Sequence, residues 1–208
     1  VTNQFSNTPT ALPDRVGVML LPGTCLFPQA LLPLFLFEPR YRLMLECALE
    51  DHRCFAINGN EDPESPGGVG GVGIVRACVK NPDGTSHLVL QGLERVRFTN
   101  WTQEEPFPEA GIEILASSGE DAPESHRLAR QVQAACLALK EGGLNLPNGF
   151  EQFLSKVEHP GVFCDVVSST LISDPAMRQA LLEETDLPRR LFLLDHCLRL
   201  ADSGQGGN

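Results

Sequence analysis

Apolar residues first gather in two short runs, Val16–Leu21 and Leu31–Phe37, with a loop at Pro22–Ala30 between them. No charge interrupts Val16 to Phe37, 22 residues, a length that can span a bilayer. Pro22, Pro28 and Pro33 would break such a helix repeatedly, so the pattern predicts two buried strands instead. Glu38-Pro39 then opens a helix, since Pro suits the first helical position. Tyr41, Met44, Leu45, Ala48 and Leu49 follow at helical spacing. Cys54–Asn58 reads as a short strand, and Gly59–Gly71 as a glycine-rich loop. Val72–Lys80 and His87–Gln91 read as a hairpin around the turn Asn81-Pro82-Asp83-Gly84. Gly92-Leu93 marks a bulge or corner before a half-exposed strand at Arg95–Trp101, and Ala110–Ala116 is the last strand.

The period changes after Ser117–Pro123. Leu128, Val132, Ala135, Cys136 and Leu139 form one helical stripe that Gly142-Gly143 ends. Phe150–Val157 and Val162–Leu171 are further helices. Asp174-Pro175 and Asp186-Leu187-Pro188 carry N-cap signals for two more. The expected organisation is a loose arm at 1–14, a β-rich domain at 15–118, a helical domain at 119–202 and a flexible tail at 203–208. The class is α+β, strands first and helices after.

Charge narrows the function. Lys and Arg number 16 against 27 Asp and Glu, for a net charge of -11. The acidity is shared, -6 through residue 118 (8 basic, 14 acidic) and -5 beyond it (8 basic, 13 acidic). A nucleic-acid partner needs clustered Lys and Arg, so none is expected, and neither is an anionic membrane surface. The seven cysteines are scattered without a CxxC pair, which fits reduced, buried thiols in a cytoplasmic protein. The first ten residues show no basic start and no apolar core of a signal peptide.

Candidate chemistry is thin. Gly68-Val69-Gly70-Gly71-Val72-Gly73 matches GxGxxG, but a β-like run follows it where dinucleotide binding needs a helix, so it reads as a flexible loop. Asp195-His196-Cys197 are neighbours on a helix and do not face one another. There is no HExxH, GxSxG or zinc spacing, and no GxxxxGK[ST] to cradle a nucleotide. No catalytic residue, metal site or cofactor is expected. The apolar loop is the better binding candidate: Leu26, Phe27 and Pro28, with Leu31 and Leu32, would form an interaction patch if several were exposed.

Several strings resemble a known family. Leu20-Leu21-Pro22-Gly23, Leu26-Phe27-Pro28 and Leu32-Pro33-Leu34-Phe35-Leu36-Phe37-Glu38-Pro39-Arg40-Tyr41 resemble the N-terminal substrate-binding domain of Lon proteases. Leu88-Val89-Leu90-Gln91-Gly92-Leu93-Glu94-Arg95-Val96-Arg97-Phe98 is similar to that family's second signature. The likeness covers about residues 14–201. It implies a PUA-like β pseudo-barrel with an inserted helix, followed by a helical bundle. Pro22, Gly23, Phe37, Glu38, Arg40, Tyr41, Gly92 and Arg95 then stand as fold markers. Arg40 or Glu38 is expected to tie the helix start to the barrel, and Tyr41 to pack on it. The resemblance further implies a non-enzymatic module for unfolded or tagged polypeptides. With 208 residues leaving no length for an ATPase or protease, a stand-alone bacterial version is expected. Rival expectations are an adaptor for a separate protease or chaperone, an RNA-binding PUA-like domain, which the acidity disfavours, and an enzyme with an unrecognised site. Nothing in the sequence speaks to oligomeric state.

Overall fold

The structure, a computed structural model, describes residues 12–60 and 68–205, the side chains of 201–205 excepted. The expected arm lies mostly outside the described residues, as does much of the acidic loop. The chain divides into two compact units, Val1–Ile114 and Leu115–Asn208. The division falls just ahead of the Ser117–Pro123 segment expected to link them.

The first unit holds β1 (Arg15–Leu20), β2 (Leu31–Leu36), α1 (Pro39–Glu50), β3 (Cys54–Asn58), β4 (Val69–Lys80), β5 (Ser86–Gln103) and β6 (Glu109–Ile114). The strands form one sheet in the order β2-β5-β4-β3-β1-β6, and β5 also pairs β6. That extra pairing closes β5, β4, β3, β1 and β6 into a ring and leaves β2 attached to the first half of β5. The β1–β3 pair is parallel, which the crossover through β2 and α1 permits.

Two apolar clusters line the two faces of this sheet. Val16, Val18, Ala56, Val72, Ile74, Val96 and Phe98 make one. Leu36, Phe55, Val75, Leu88 and Leu90 make the other, roofed by Tyr41, Met44 and Leu45 of α1. Burying each of these larger side chains contributes about 1.5–3 kcal/mol. Leu49, expected in the helix stripe, stands 36% exposed at the end of α1.

Two departures from the expected elements share one cause. The strands expected at His87–Gln91 and Arg95–Trp101 are a single 18-residue strand, β5, and the residues Val69–Gly71, expected as loop, are the start of β4. Glycine reads as a breaker in sequence, but here it makes room. A Cβ at Gly71 would collide with the Leu26 carbonyl, and one at Gly92 with the Phe27 carbonyl. The Cys25–Phe27 segment lies so close over β4 and β5 that only glycine fits beneath it.

The second unit holds α2 (Pro123–Glu141), α3 (Phe150–Lys156), α4 (Pro160–Leu171), α5 (Pro175–Glu183) and α6 (Leu187–Gln205). α2 packs on α4 and α6, and α4 and α5 also pack on α6. The N-cap signals act as expected: the Asp174 carboxylate accepts from the Met177 N–H at 2.8 Å, and Asp186 from the Arg189 N–H at 2.9 Å. The expected tail begins at 203, yet α6 runs through Gln205, because extending a formed helix adds one hydrogen bond per residue fixed.

Candidate functional site

The apolar loop is divided by burial. Leu26 and Phe27 are 1% and 0% exposed and face the core, so neither presents a side chain to a ligand. Pro28 and Leu32 are half-buried. Leu31 alone stands out, 64% exposed. Of the side chains expected to form a patch if several were exposed, Leu26 and Phe27 plug the core, and the exposed apolar surface begins at Leu31, where the loop ends.

β2 builds that surface. Along it Leu31, Pro33 and Phe35 are exposed while Leu32, Leu34 and Leu36 turn toward α1. Directly opposite Pro33 is Val89, and opposite Phe35 is His87, whose ring stacks on it with centroids 4.6 Å apart. The next strand adds Ala77 opposite Val89 and Val79, itself 65% exposed, opposite His87. Phe37, just past β2, lies with its ring 6.1 Å from that of Phe35. The result is a three-strand apolar face over a shallow groove of about 410 Å³. Its Leu31 end is polar. The Arg76 guanidinium donates to the Gln91 side-chain oxygen at 2.6 Å, and Gln91 donates on to Gln29 at 3.2 Å.

Sequence reasoning singled out Leu31 but not Pro33, Phe35, Val79, Val89 or His87 as contact residues. Every residue from Leu31 to Phe37 is apolar, so the two-residue period that would name the exposed set is invisible in the sequence. The proline is the one usable signal, because Pro inside a strand marks an edge.

The expected fold markers act locally. Arg40 pairs with Glu38 at 2.9 Å on the surface and lays its guanidinium 4.5 Å from the Tyr41 ring centroid. Neither Arg40 nor Glu38 is shown reaching a strand, contrary to expectation; Tyr41 makes that tie through its hydroxyl, which hydrogen-bonds Leu20. Gly23 adopts φ +76°, and its N–H donates to the Gly59 carbonyl at 2.9 Å beside the exposed Pro22. The Gly92 N–H donates to the Ala30 carbonyl at 2.9 Å, and Arg95 is 3% exposed.

One cluster resembles a reactive centre and lacks its chemistry. Cys47, His52 and Cys54 line a cleft of about 130 Å³. The His52 Nδ1 accepts from the Cys54 backbone N–H at 3.2 Å, so that nitrogen takes no proton from a thiol. The Cys54 thiol donates to the His52 carbonyl at 3.3 Å, and burial pushes it up to about 11. A protonated, buried thiol is a poor nucleophile. On α6, Asp195 and Cys197 are buried and His196 is exposed, so that triplet is not a site either. Among the described residues no His, Cys, Asp and Glu group is arranged to hold a metal ion, and no helix is long and apolar enough to cross a membrane.

The class is thus a strand ring with one attached apolar strand, followed in sequence by five helices. The profile of the ATP-dependent protease La (LON) substrate-binding domain matches residues 15–199. The chain belongs to that family. It is 25% identical over 194 residues to the Lon protease of Desulfosudis oleivorans and 30% identical over 196 residues to that of Desulfovibrio desulfuricans. Each alignment takes in 89% of this chain but 24% and 22% of the relative. The chain thus spans about a quarter of the length of the curated relatives it matches. The fold matches the N-terminal domain of Mycobacterium avium complex Lon protease, with a TM-score of 0.73 at 16% identity over 89% of this chain and 98% of that one. It also matches the Lon N-terminal domain protein from Xanthomonas campestris, with a TM-score of 0.65 at 20% identity, 86% of this chain and 96% of that one.

Proposed function

We propose that this chain is a non-enzymatic polypeptide-binding module and that the face of Leu31, Pro33, Phe35, Val79, Val89 and His87 is its contact surface. Family membership supports substrate recognition. The exposed apolar face carries the choice of surface, since large contiguous apolar patches on a folded unit mark interaction sites. Unfolded chains differ from folded ones in offering apolar side chains and unpaired backbone together. A shallow, open face fits such ligands better than a deep polar pocket would. The ring of strands with its inserted helix reads as a PUA-like pseudo-barrel, and the five helices as a bundle. The net charge of -11 speaks against RNA and suits a cytoplasmic protein that holds polypeptide, with delivery to a separate protease as a role compatible with binding.

Titration with a labelled, permanently unfolded protein tests the reading. Wild type binds saturably without ATP. The double variant Leu31→Ser with Phe35→Ser weakens binding about tenfold, corresponding to about 1.4 kcal/mol, and keeps its melting temperature because both side chains are exposed. Absence of binding by wild type, or full binding by the double variant, overturns it.

A further inference from the structure

The face just described borders an open strand edge. β2 is the end strand of the sheet order, and among the described residues nothing pairs with its outer side. The register fixes which backbone groups point there. The Gly92 N–H donates to the Ala30 carbonyl, so Ala30 and the residues two, four and six beyond it face β5. Leu32, Leu34 and Leu36 therefore use their backbone groups inside the sheet. Leu31, Pro33 and Phe35 aim theirs outward, and the same three side chains lie on the apolar face. Pro33 has no N–H to offer.

We propose that β2 is the acceptor edge for an extended segment of an unfolded polypeptide, which joins the sheet as an added strand and lays alternate apolar side chains across Phe35, Val89 and Val79. This rests on the polypeptide-binding reading and says how the backbone is read. The N–H and carbonyl of Leu31, the carbonyl of Pro33, and the N–H and carbonyl of Phe35 receive it. Such contacts ignore side-chain identity, which suits a recogniser of unfolded chains in general.

Two observations select a foreign segment over a second copy of this chain. Antiparallel pairing of two β2 edges about their centres would set Pro33 against Pro33, so that each Pro33 carbonyl faces a proline nitrogen that carries no hydrogen. A segment without proline supplies the missing donor. Charge points the same way. Of the side chains opposite Leu31, Pro33 and Phe35, none is acidic, and Arg76, the extra residue of the bulge between Val75 and Ala77, stands at the Leu31 end. In a chain of net charge -11 the face behind this edge carries a cation on β4, two strands in, and no acidic side chain opposite the outward residues of β2, which favours an incoming segment over another copy of this acidic chain.

The experiment uses the full chain and a short fluorescent peptide of alternating Leu and Ser ending in Asp. The same peptide N-methylated at every residue keeps its side chains and loses its backbone donors. Strand addition predicts a loss of affinity of about tenfold or more on methylation. It also predicts that Phe35→Pro, which deletes an outward N–H, weakens the unmethylated peptide more than Phe35→Ala does. Equal affinity for methylated and unmethylated peptides, or equal effects of the two variants, overturns strand addition and leaves the apolar face as the binder. No saturable binding of any peptide or of an unfolded protein overturns the polypeptide reading itself. A concentration-dependent dimer that Phe35→Pro abolishes would show that a second copy takes the edge, and would overturn the proposal.

Discussion

The Tyr41 hydroxyl hydrogen-bonds both backbone groups of Leu20, accepting from its N–H at 3.2 Å and lying 3.4 Å from its carbonyl. One side chain thus fastens α1 to the end of β1. Tyr41→Phe keeps the ring and loses the bond, and is expected to cost about 1 kcal/mol, read as a fall in melting temperature of several degrees. Burial raises the Tyr41 pKa above its ordinary 10.0. The folded state therefore holds this proton more tightly than the unfolded state. Its contribution is complete below pH 10 and is lost as pH climbs through the folded value. Stability measured by denaturant across that alkaline range should fall less steeply in Tyr41→Phe than in wild type. Arg40→Ala, which removes a surface ion pair and a stacked guanidinium, should cost less than about 1 kcal/mol.

The Cys25–Phe27 segment is held down by the absence of side chains beneath it. Gly71→Ala places a methyl group against the Leu26 carbonyl, and backbone there has no alternative position without unpacking Leu26 and Phe27. The expected cost is about 1–3 kcal/mol, as for other overpacked sites. Gly143→Ala is the control: a Cβ there meets nothing within 4 Å, although φ +104° adds some backbone strain. Chemical denaturation of the two variants should rank Gly71→Ala well below Gly143→Ala.

Much of this fold was legible because local signals and burial agree. Asp174 and Asp186 announce their helices by chemistry that works within four residues, and the structure shows both carboxylates capping. Pro39 announces α1 by its place in the first helical turn, without a side-chain cap from Glu38. The site was less legible. Phe27 and Phe35 are both aromatic residues in the same apolar stretch, and one is 0% and the other 47% exposed. What separates them is long-range: glycines at 71 and 92 draw Phe27 inward, and pairing with His87 turns Phe35 outward. The His52–Cys54 contact escaped notice because it is a backbone bond, which no residue pattern encodes.

Thiol chemistry offers a check on packing. All seven cysteines are free; Cys47 is exposed, Cys78 is half-buried, and the other five are buried. Burial pushes Cys54 up to about 11 and Cys136 up to about 12, so both are protonated at neutral pH. A thiol reagent added to native protein should modify Cys47 first and Cys78 more slowly, and reach the rest only on unfolding. Cys47→Ser should remove the fast phase, as seen by mass spectrometry. Fast modification of Cys136 in the native state would contradict the packing of α2.

Among the described residues Arg190 is the largest fully buried side chain. Its guanidinium donates to the Glu184 carbonyl at 2.8 Å and to the Ser117 hydroxyl at 3.2 Å, and its Nε lies 3.6 Å from the Asp165 carboxylate. Arg190 and Asp165 are 0% and 6% exposed at the side chain, so water does little to screen them. Removing the charge alone takes the Arg190 guanidinium away from the buried Asp165 carboxylate, and breaking such a pair costs about 3–5 kcal/mol. Arg190→Met is therefore expected to destabilise the second unit strongly while roughly conserving volume. Adding Asp165→Leu removes the carboxylate that faced it. Since apolar replacement of buried ion pairs is often close to neutral, the double variant should recover most of the loss. Denaturant unfolding of wild type, both single variants and the double variant gives the coupling directly. A double variant as unstable as the sum of the singles would mean that Arg190 acts through Glu184 and Ser117, and that Asp165 is not its partner.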